Sequence, residues 1–415
     1  MIEEQNRPLT IAFFVEGMYS SGVDTSTRLL ARALRQLGHR VTLFSPWQDH
    51  KNSPPGEDAF LLPAVNLNFK QRIHLSYPLS WRLIDEFKGR RYDLIHVHTS
   101  TSVNLLAWQV ARLFELPVVY TYHTMSKAYL HYYLGPFSKQ VSHWLDPMVE
   151  FFDKVVCDRA ALVLTPSEKA ANYLNGIGVT PRVEVIANGV DLDRFHPFPS
   201  DFLQTCFNLP SDAKVLLFVG RLNQEKRPLL AYEHFRQLCR QRNDVWLVMV
   251  GDGPQRQALV QQALADGLAG RLILTGLLPY AQMPAVYNAA HLWLSTSQSE
   301  VHPMVALEAI ACGLPAVVYA DPALQGVVEH EVNGFVVEDD EEFLCSLHHL
   351  LDTPERYQAM RSSAIRQGEE YSVGRAAART LHAYHQLLSN RRPPAQPANA
   401  NRHRGFIGLP KQKRT

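Results

Sequence analysis

Short apolar runs punctuate the chain, each ending in glycine or a polar loop: TIAFFVEG near the start, then DLIHVH, PVVYTYH and LVLTPS. After each comes a longer stretch whose apolar residues recur three and four positions apart. Short continuous apolar runs bounded by turn residues read as strands buried on both faces, and the spaced stretches as helices packed on them. In SSGVDTSTRLLARALRQLGHRVTLF, Leu29, Leu30, Ala33, Leu34 and Leu37 mark a helical stripe, Asp24 and Thr25 are candidate caps, Gly38 closes the helix and RVTLF is the next strand. This strand–loop–helix–strand unit belongs to a parallel sheet. The pattern restarts at KVLLFVGRLNQEKRPLLAYEHFRQLC and continues through VWLVMVGDG, RLILTG, HLWLSTS and PAVVYA.

The fold class is therefore α/β, with two doubly wound Rossmann-like domains facing across a cleft, over residues 1–195 and 196–370. Such sheets take ligands at the carboxyl ends of their strands, so the cleft is the expected site. Residues 371–390 predict a terminal helix crossing back to the first domain. Residues 391–415, rich in Pro, Asn and positive charge, predict a disordered basic tail.

Composition narrows the partners. A chain of 415 residues, 46% hydrophobic and 20% charged, is an ordinary globular protein long enough for two cores. The formal net charge is +1, but residues 391–415 hold seven Lys/Arg and no acid, leaving −6 for the rest. That excludes nucleic acid as a partner for the bulk of the protein, and no obligate protein partner is evident. Five scattered cysteines predict reduced thiols in a cytoplasmic chain, neither a disulfide frame nor a zinc site. The opening MIEEQNRPLT is too polar for a signal peptide, and no apolar run approaches ~20 residues, so membrane contact is expected to be peripheral. The first strand is not followed by GxGxxG, which argues against a dinucleotide dehydrogenase.

The densest chemistry lies in SEVHPMVALEAIACGLP (299–315). Pro303 suits a first helical turn, and Gly313 with Pro315 ends a helix over 303–312. Met304, Leu307 and Ala311 form its apolar stripe, and Glu308 falls on that stripe. A buried carboxylate is costly without hydrogen-bond donors. Glu300 sits in the loop before the helix, whose N-terminus favours an anion. A phosphate flanked by two carboxylates that each accept hydroxyls matches a nucleotide sugar. In FVGRLNQEKRP, Arg221 and Lys226 follow a strand and could clamp a diphosphate. His123 ends a strand on the opposite wall, beside Tyr129, His131, Tyr132 and Tyr133, residues suited to a wet–dry boundary and an acceptor. Each of these alone also has a structural reading as a solvated loop residue, a satisfied buried polar group or a surface cation. Two alternatives remain: a glycoside hydrolase using Glu300 and Glu308 as acid and base, which leaves the cations without a role, and a nucleotide-sugar sensor without turnover.

Together, SSGV with LGHRVTLF, YHTM, NGVDLDRF, GRLNQEKRP, GDGP, SEVHPMVALEAIACGLP and NGFVV resemble the retaining glycosyltransferases of family 4, which have the GT-B fold. The YHTM…YLHYY stretch looks most like the branch that glycosylates membrane lipids, the diacylglycerol glucosyltransferases and related glycolipid synthases. The resemblance implies an acceptor domain followed by a donor domain. The reaction implied moves a hexose from a nucleoside-diphosphate sugar, UDP-linked, to an acceptor hydroxyl with retention of configuration. The acceptor implied is a lipid such as diacylglycerol at the inner membrane face, with a soluble or polysaccharide acceptor as the alternative. It places Glu300 on the sugar hydroxyls, Glu308 on the ribose, Arg221 and Lys226 on the diphosphate, Gly22 where backbone passes the donor, and His123 near the transferred sugar. No cofactor or divalent metal is implied. Pro303 lacks an N–H, so phosphate contacts fall to the amides of Met304 and Val305. Ser21 stands where many members have glycine, His302 has no assigned role, and Asp191 with Asp193 mimics a metal-binding DxD by chance.

Overall fold

The computed structural model describes residues 7–16, 22–46, 58–68, 72–76, 80–125 and 138–390. Its strands are β1 (Thr10–Phe14), β2 (Arg40–Ser45), β3 (Ala59–Leu61), β4 (Ala64–Asn68), β5 (Arg72–Ser76), β6 (Leu94–Val97), β7 (Val118–Thr121), β8 (Leu162–Thr165) and β9 (Val183–Val185) in the first half. In the second half they are β10 (Lys214–Val219), β11 (Val245–Val250), β12 (Leu272–Gly276), β13 (Leu292–Ser295), β14 (Ala316–Tyr319) and β15 (Gly334–Val337). The first sheet is parallel in the order β3-β2-β1-β6-β7-β8-β9 and the second is parallel in the order β12-β11-β10-β13-β14-β15. β4 and β5 form a separate antiparallel hairpin that the apolar pattern does not announce. The strand order reverses between β1 and β6 and between β10 and β13, so a crevice opens at the carboxyl end of each sheet.

Helices cover both sheets. The first domain carries α1 (Gly22–Gln36), α2 (Trp81–Gly89), α3 (Ser102–Leu113), α4 (Ser138–Asp158) and α5 (Glu168–Gly176). The second carries α6 (Phe202–Phe207), α7 (Pro228–Leu238), α8 (Arg256–Ala265), α9 (Met283–Ala289), α10 (Met304–Ala311), α11 (Asp340–Asp352) and α12 (Pro354–Glu370). The final helix, α13 (Val373–Ser389), packs on α1: Ala377, Ala383 and Tyr384 share a buried cluster with Ala31, Leu34 and Leu164.

Two local expectations are corrected. Asp24 does not cap α1; the helix begins at Gly22, and Asp24 sits in its first turn paired with Arg28 at 3.0 Å. Leu37 is half exposed, and the buried face is Ser26, Thr27, Ala31, Ala33 and Leu34. The stripe rotates because α13 and the second domain both press on α1, and Leu29 packs against the second-domain core.

Two chain crossings tie the domains together. The amide of Val190 donates to the carbonyl of Tyr371 at 2.8 Å, and that of Val373 to the carbonyl of Val190 at 2.9 Å. They run so close that a Cβ on Gly189 would lie 2.4 Å from Val373 Cα, backbone that cannot swing aside. Gly189→Ala is expected to cost about 1–2 kcal/mol, read as a drop of several degrees in a thermal melt; an unchanged melt would mean that the crossings separate freely.

Candidate functional site

The second-domain wall of the cleft is built from the loops after β10 and β13. Gly220 follows β10 and Gly251 follows β11, and the two lie so close that a Cβ on Gly251, at φ +137°, would fall 1.9 Å from the carbonyl oxygen of Gly220. This contact locks the GRLNQEKRP loop against the GDGP loop, and the amide of Leu222 donates to Asp252 O at 3.0 Å. Asn223, nearly buried, accepts the Lys226 amide at 3.1 Å. Arg227, just before Pro228, is held left-handed at φ 52°, a costly state for a residue that carries a Cβ. Thr296 offsets that cost: its single hydroxyl proton is shared between the carbonyls of Lys226 and Arg227, each at 2.9 Å. Lys226 is thereby aimed at Glu300, and the two form an ion pair that is mostly shielded from water. Arg221 is exposed, and its side chain makes no hydrogen bond or ion pair with a described residue.

Glu300 immediately precedes α10. The helix starts at Met304, with Pro303 as its N-cap instead of its first residue as expected. Its first amides, those of Met304 and Val305, have no acceptor inside the helix. Gly22 meets this end from the first domain; a Cβ there would lie 3.5 Å from Met304 Cγ, an ordinary contact. The protein alone would thus accept alanine at position 22. Lys226, Glu300, Met304 and Gly22 are brought to one place.

Glu308 stands one helical level below, 4% exposed. Its Oε1 accepts the hydroxyl of Tyr280 at 2.9 Å and its Oε2 that of Tyr287 at 2.8 Å. Burial pushes its carboxyl up to about 7 against the opposing pull of these hydrogen bonds. Arg194 lies over the ring of Tyr280, 5.4 Å from its centre. The donors that a buried carboxylate requires are these two tyrosines.

On the first-domain wall, His123 lies two residues beyond β7. It shares a 3.0 Å hydrogen bond between its Nε2 and His98 Nδ1. Burial lowers its pKa to about 4, and that of His98 well below the usual value, so both are neutral at pH 7. Behind them His96 bonds Tyr384 of α13 at 2.5 Å and Thr121 at 2.6 Å. Glu16, past β1, accepts the Thr99 hydroxyl at 3.1 Å, and burial raises its pKa. His98, Thr99, Glu16 and Thr296 line or brace the crevices, and no motif in the sequence marks them. The HxH alternation in DLIHVH, two imidazoles on one face of an apolar strand, is the nearest signal. Tyr129, His131, Tyr132, Tyr133, Ser21 and the tail 391–415 lie outside the described residues. Asp191 of the DxD pair is engaged by Arg32 at 3.5 Å, and among the described residues no group of three or more His, Cys, Asp or Glu side chains is arranged to hold a metal. His302 has a pKa lowered to about 4 by burial and an Nδ1 without a hydrogen-bond partner among the described residues.

Two parallel α/β sheets, each with a crevice at its switch point, have the architecture of a glycosyltransferase of the GT-B type. A family model for glycosyltransferase family 4 matches residues 20–194, and one for group 1 glycosyl transferases matches residues 202–367. The chain belongs to the family 4 glycosyltransferases. It is 28% identical over 321 residues to an alpha-monoglucosyldiacylglycerol synthase of Streptococcus pneumoniae, covering 76% of this chain and 71% of that protein. It is 30% identical over 316 residues to a D-inositol 3-phosphate glycosyltransferase of Thermobispora bispora, covering 73% and 72%. Among solved structures, HepE of Anabaena in complex with UDP superposes with a TM-score of 0.72 at 19% identity, covering 91% of this chain and 100% of that one. Sucrose-phosphate synthase of Thermosynechococcus elongatus gives 0.74 at 21% identity, covering 92% and 100%.

Proposed function

We propose that the protein transfers a hexose from a UDP-linked sugar to a lipid hydroxyl, with retention of anomeric configuration and without a bound metal. The observation that carries this reading is the Lys226–Glu300 pair set at the free N-terminus of α10, with Lys226 in the same loop that carries Arg221. Arg221, Lys226 and the amides of Met304 and Val305 would stabilise the departing diphosphate, the charge-assisted contacts dominating at roughly 1.5–3 kcal/mol each. The helix end adds about 0.3–2 kcal/mol. Glu300 orients the sugar. Neutral His123, with Nε2 engaged by His98, offers Nδ1 to a sugar hydroxyl. No enzyme base is needed if the departing phosphate oxygen takes the acceptor's proton on the face it leaves, which accounts for retention. A glycoside hydrolase fits poorly, because Glu308 already accepts two tyrosine hydroxyls, which hold both its oxygens away from acid–base work on a glycosidic bond.

Two things support a lipid acceptor. The relative from S. pneumoniae is named for a glycosylated diacylglycerol. Met148, Phe151 and Phe152 leave an apolar face of α4 in solvent, three and four residues apart, where a membrane could cover it. No described helix is long and apolar enough to cross a membrane. The inositol phosphate relatives favour a soluble acceptor as the second reading. The test is a panel of UDP- and GDP-sugars offered with diacylglycerol liposomes or with soluble acceptors, with and without chelator. Transfer from a UDP-sugar to diacylglycerol, unaffected by chelator, is expected; transfer confined to soluble acceptors would overturn the lipid assignment.

A further inference from the structure

Glu300 belongs to the second domain, yet part of what fixes its backbone comes from the first. Lys169, in the first turn of α5, reaches across the cleft. Its Nζ donates to the carbonyl oxygen of Glu300 at 2.8 Å, approaches that of Gln298 at 3.4 Å, and pairs with Asp321 at 2.7 Å. The Asp321 side chain, just past β14, has no exposure at all. Its Oδ2 accepts the Glu300 amide at 3.0 Å and its Oδ1 the Ala323 amide at 2.9 Å. Both backbone polar groups of Glu300 therefore end on one lysine–aspartate pair whose members lie in different domains. The next residue, Val301, is 9% exposed and belongs to the first-domain cluster that includes Tyr122, Ala170 and Leu174.

We propose that Lys169 is a positioning residue for the sugar-binding carboxylate, acting through Asp321 and the Glu300 backbone. The inference rests on the assignment of Glu300 to the donor sugar. A buried carboxylate is stable only with a counter-charge and donors, and the cation on Asp321 is supplied by the opposite domain. If the domains part, Lys169 withdraws, Val301 leaves its socket, and the loop before α10 loses both constraints on Glu300. Sugar recognition is thus complete only when the first domain is seated. Donor contacts supplied wholly by the second domain, such as those assigned to Arg221 and Glu308, do not depend on that seating. Lys169 consequently separates the sugar from the nucleotide: it governs binding of the whole donor and not of the nucleoside diphosphate alone.

The full-length wild type is titrated calorimetrically with UDP-glucose, UDP-galactose and GDP-mannose, and the one that binds serves as probe beside its free nucleoside diphosphate. Lys169→Met is expected to weaken the nucleotide sugar about tenfold or more and to leave the nucleoside diphosphate within about twofold. Lys169→Arg, which keeps the charge on Asp321, recovers most of the loss. In the cycle with Glu300→Gln, the double variant binds no more weakly than Glu300→Gln alone, because one residue acts through the other. If Lys169→Met does not fold, Asp321→Asn is read in the same way. Equal weakening of both ligands, multiplicative effects in the cycle, or wild-type binding by Lys169→Met while Glu300→Gln is impaired would each overturn the proposal. A wild type that binds none of the three sugars removes the donor-site assignment itself, and this inference with it.

Discussion

Arg221→Ala or Lys226→Ala lowers kcat by about 10²–10³-fold while the dissociation constant for the nucleotide sugar moves by less than about tenfold. The asymmetry follows from where charge grows. A bound nucleotide sugar is a diphosphate diester whose charge is already present and partly solvated. As the glycosidic bond breaks, a further negative charge develops on the leaving phosphate oxygen, and only donors already in position meet it without reorganising. Lys226 is in position before any ligand arrives, held by Asn223, by the Thr296-braced turn and by its ion pair with Glu300. Its removal has a second consequence, because Glu300 is left as an unpaired carboxylate close to the diphosphate. Arg221 has no such partner among the described residues, so Arg221→Ala isolates the leaving-group contribution. Steady-state kinetics paired with direct titration measures both quantities. Losses that fall equally on kcat and affinity would place these cations in ground-state binding and not in the transfer step.

Much of this site is legible in the sequence because strand ends are legible. β1, β6, β7, β8, β10, β11, β13 and β14 are apolar runs sandwiched between helices, and the loops that follow them carry Arg221, Lys226 and Glu300 to the cleft. Short edge elements are a different matter. β9 (Val183–Val185) interleaves a glutamate, and the β4–β5 hairpin alternates asparagine and histidine with apolar residues, so neither reads as a core run. Partners are harder still. Glu308 demands donors, but nothing local indicates Tyr280 and Tyr287, 28 and 21 residues back, and nothing in EKAANYL indicates that Lys169 meets Asp321, 152 residues on. Periodicity reports which side of an element is buried; it does not report which polar groups meet when separate elements are packed together. Leu37 shows the same limit for apolar residues, since the face of α1 that is buried was decided by α13, more than three hundred residues later in the chain.

Glu308→Gln should leave the melting temperature at pH 8 unchanged or raised and weaken the nucleotide sugar by about 10- to 150-fold. The two effects have one origin. Burial holds the carboxyl at about 7 against an ordinary 4.5, so folding favours its protonated form. Its penalty is absent below pH 4.5, grows as pH rises to about 7, and reaches about 3 kcal/mol above that. A neutral amide removes this penalty; one tyrosine hydroxyl still donates to its oxygen and the other accepts from its NH2. A residue kept solely for stability would show the opposite sign. The lost affinity comes from ribose hydroxyls, which would donate to the lone pairs that Tyr280 and Tyr287 leave free, and which bind an ionised carboxylate far better than a protonated one. Wild-type affinity for a UDP-sugar is therefore expected to strengthen as pH rises from 6 to 8, through the titration of Glu308. The diphosphate diester has no proton to lose in that range, so the slope reports the protein, and it should vanish in Glu308→Gln. A variant that melts lower, binds as tightly as the wild type and keeps the slope would make Glu308 a structural acceptor for two tyrosines and remove it from the nucleotide site.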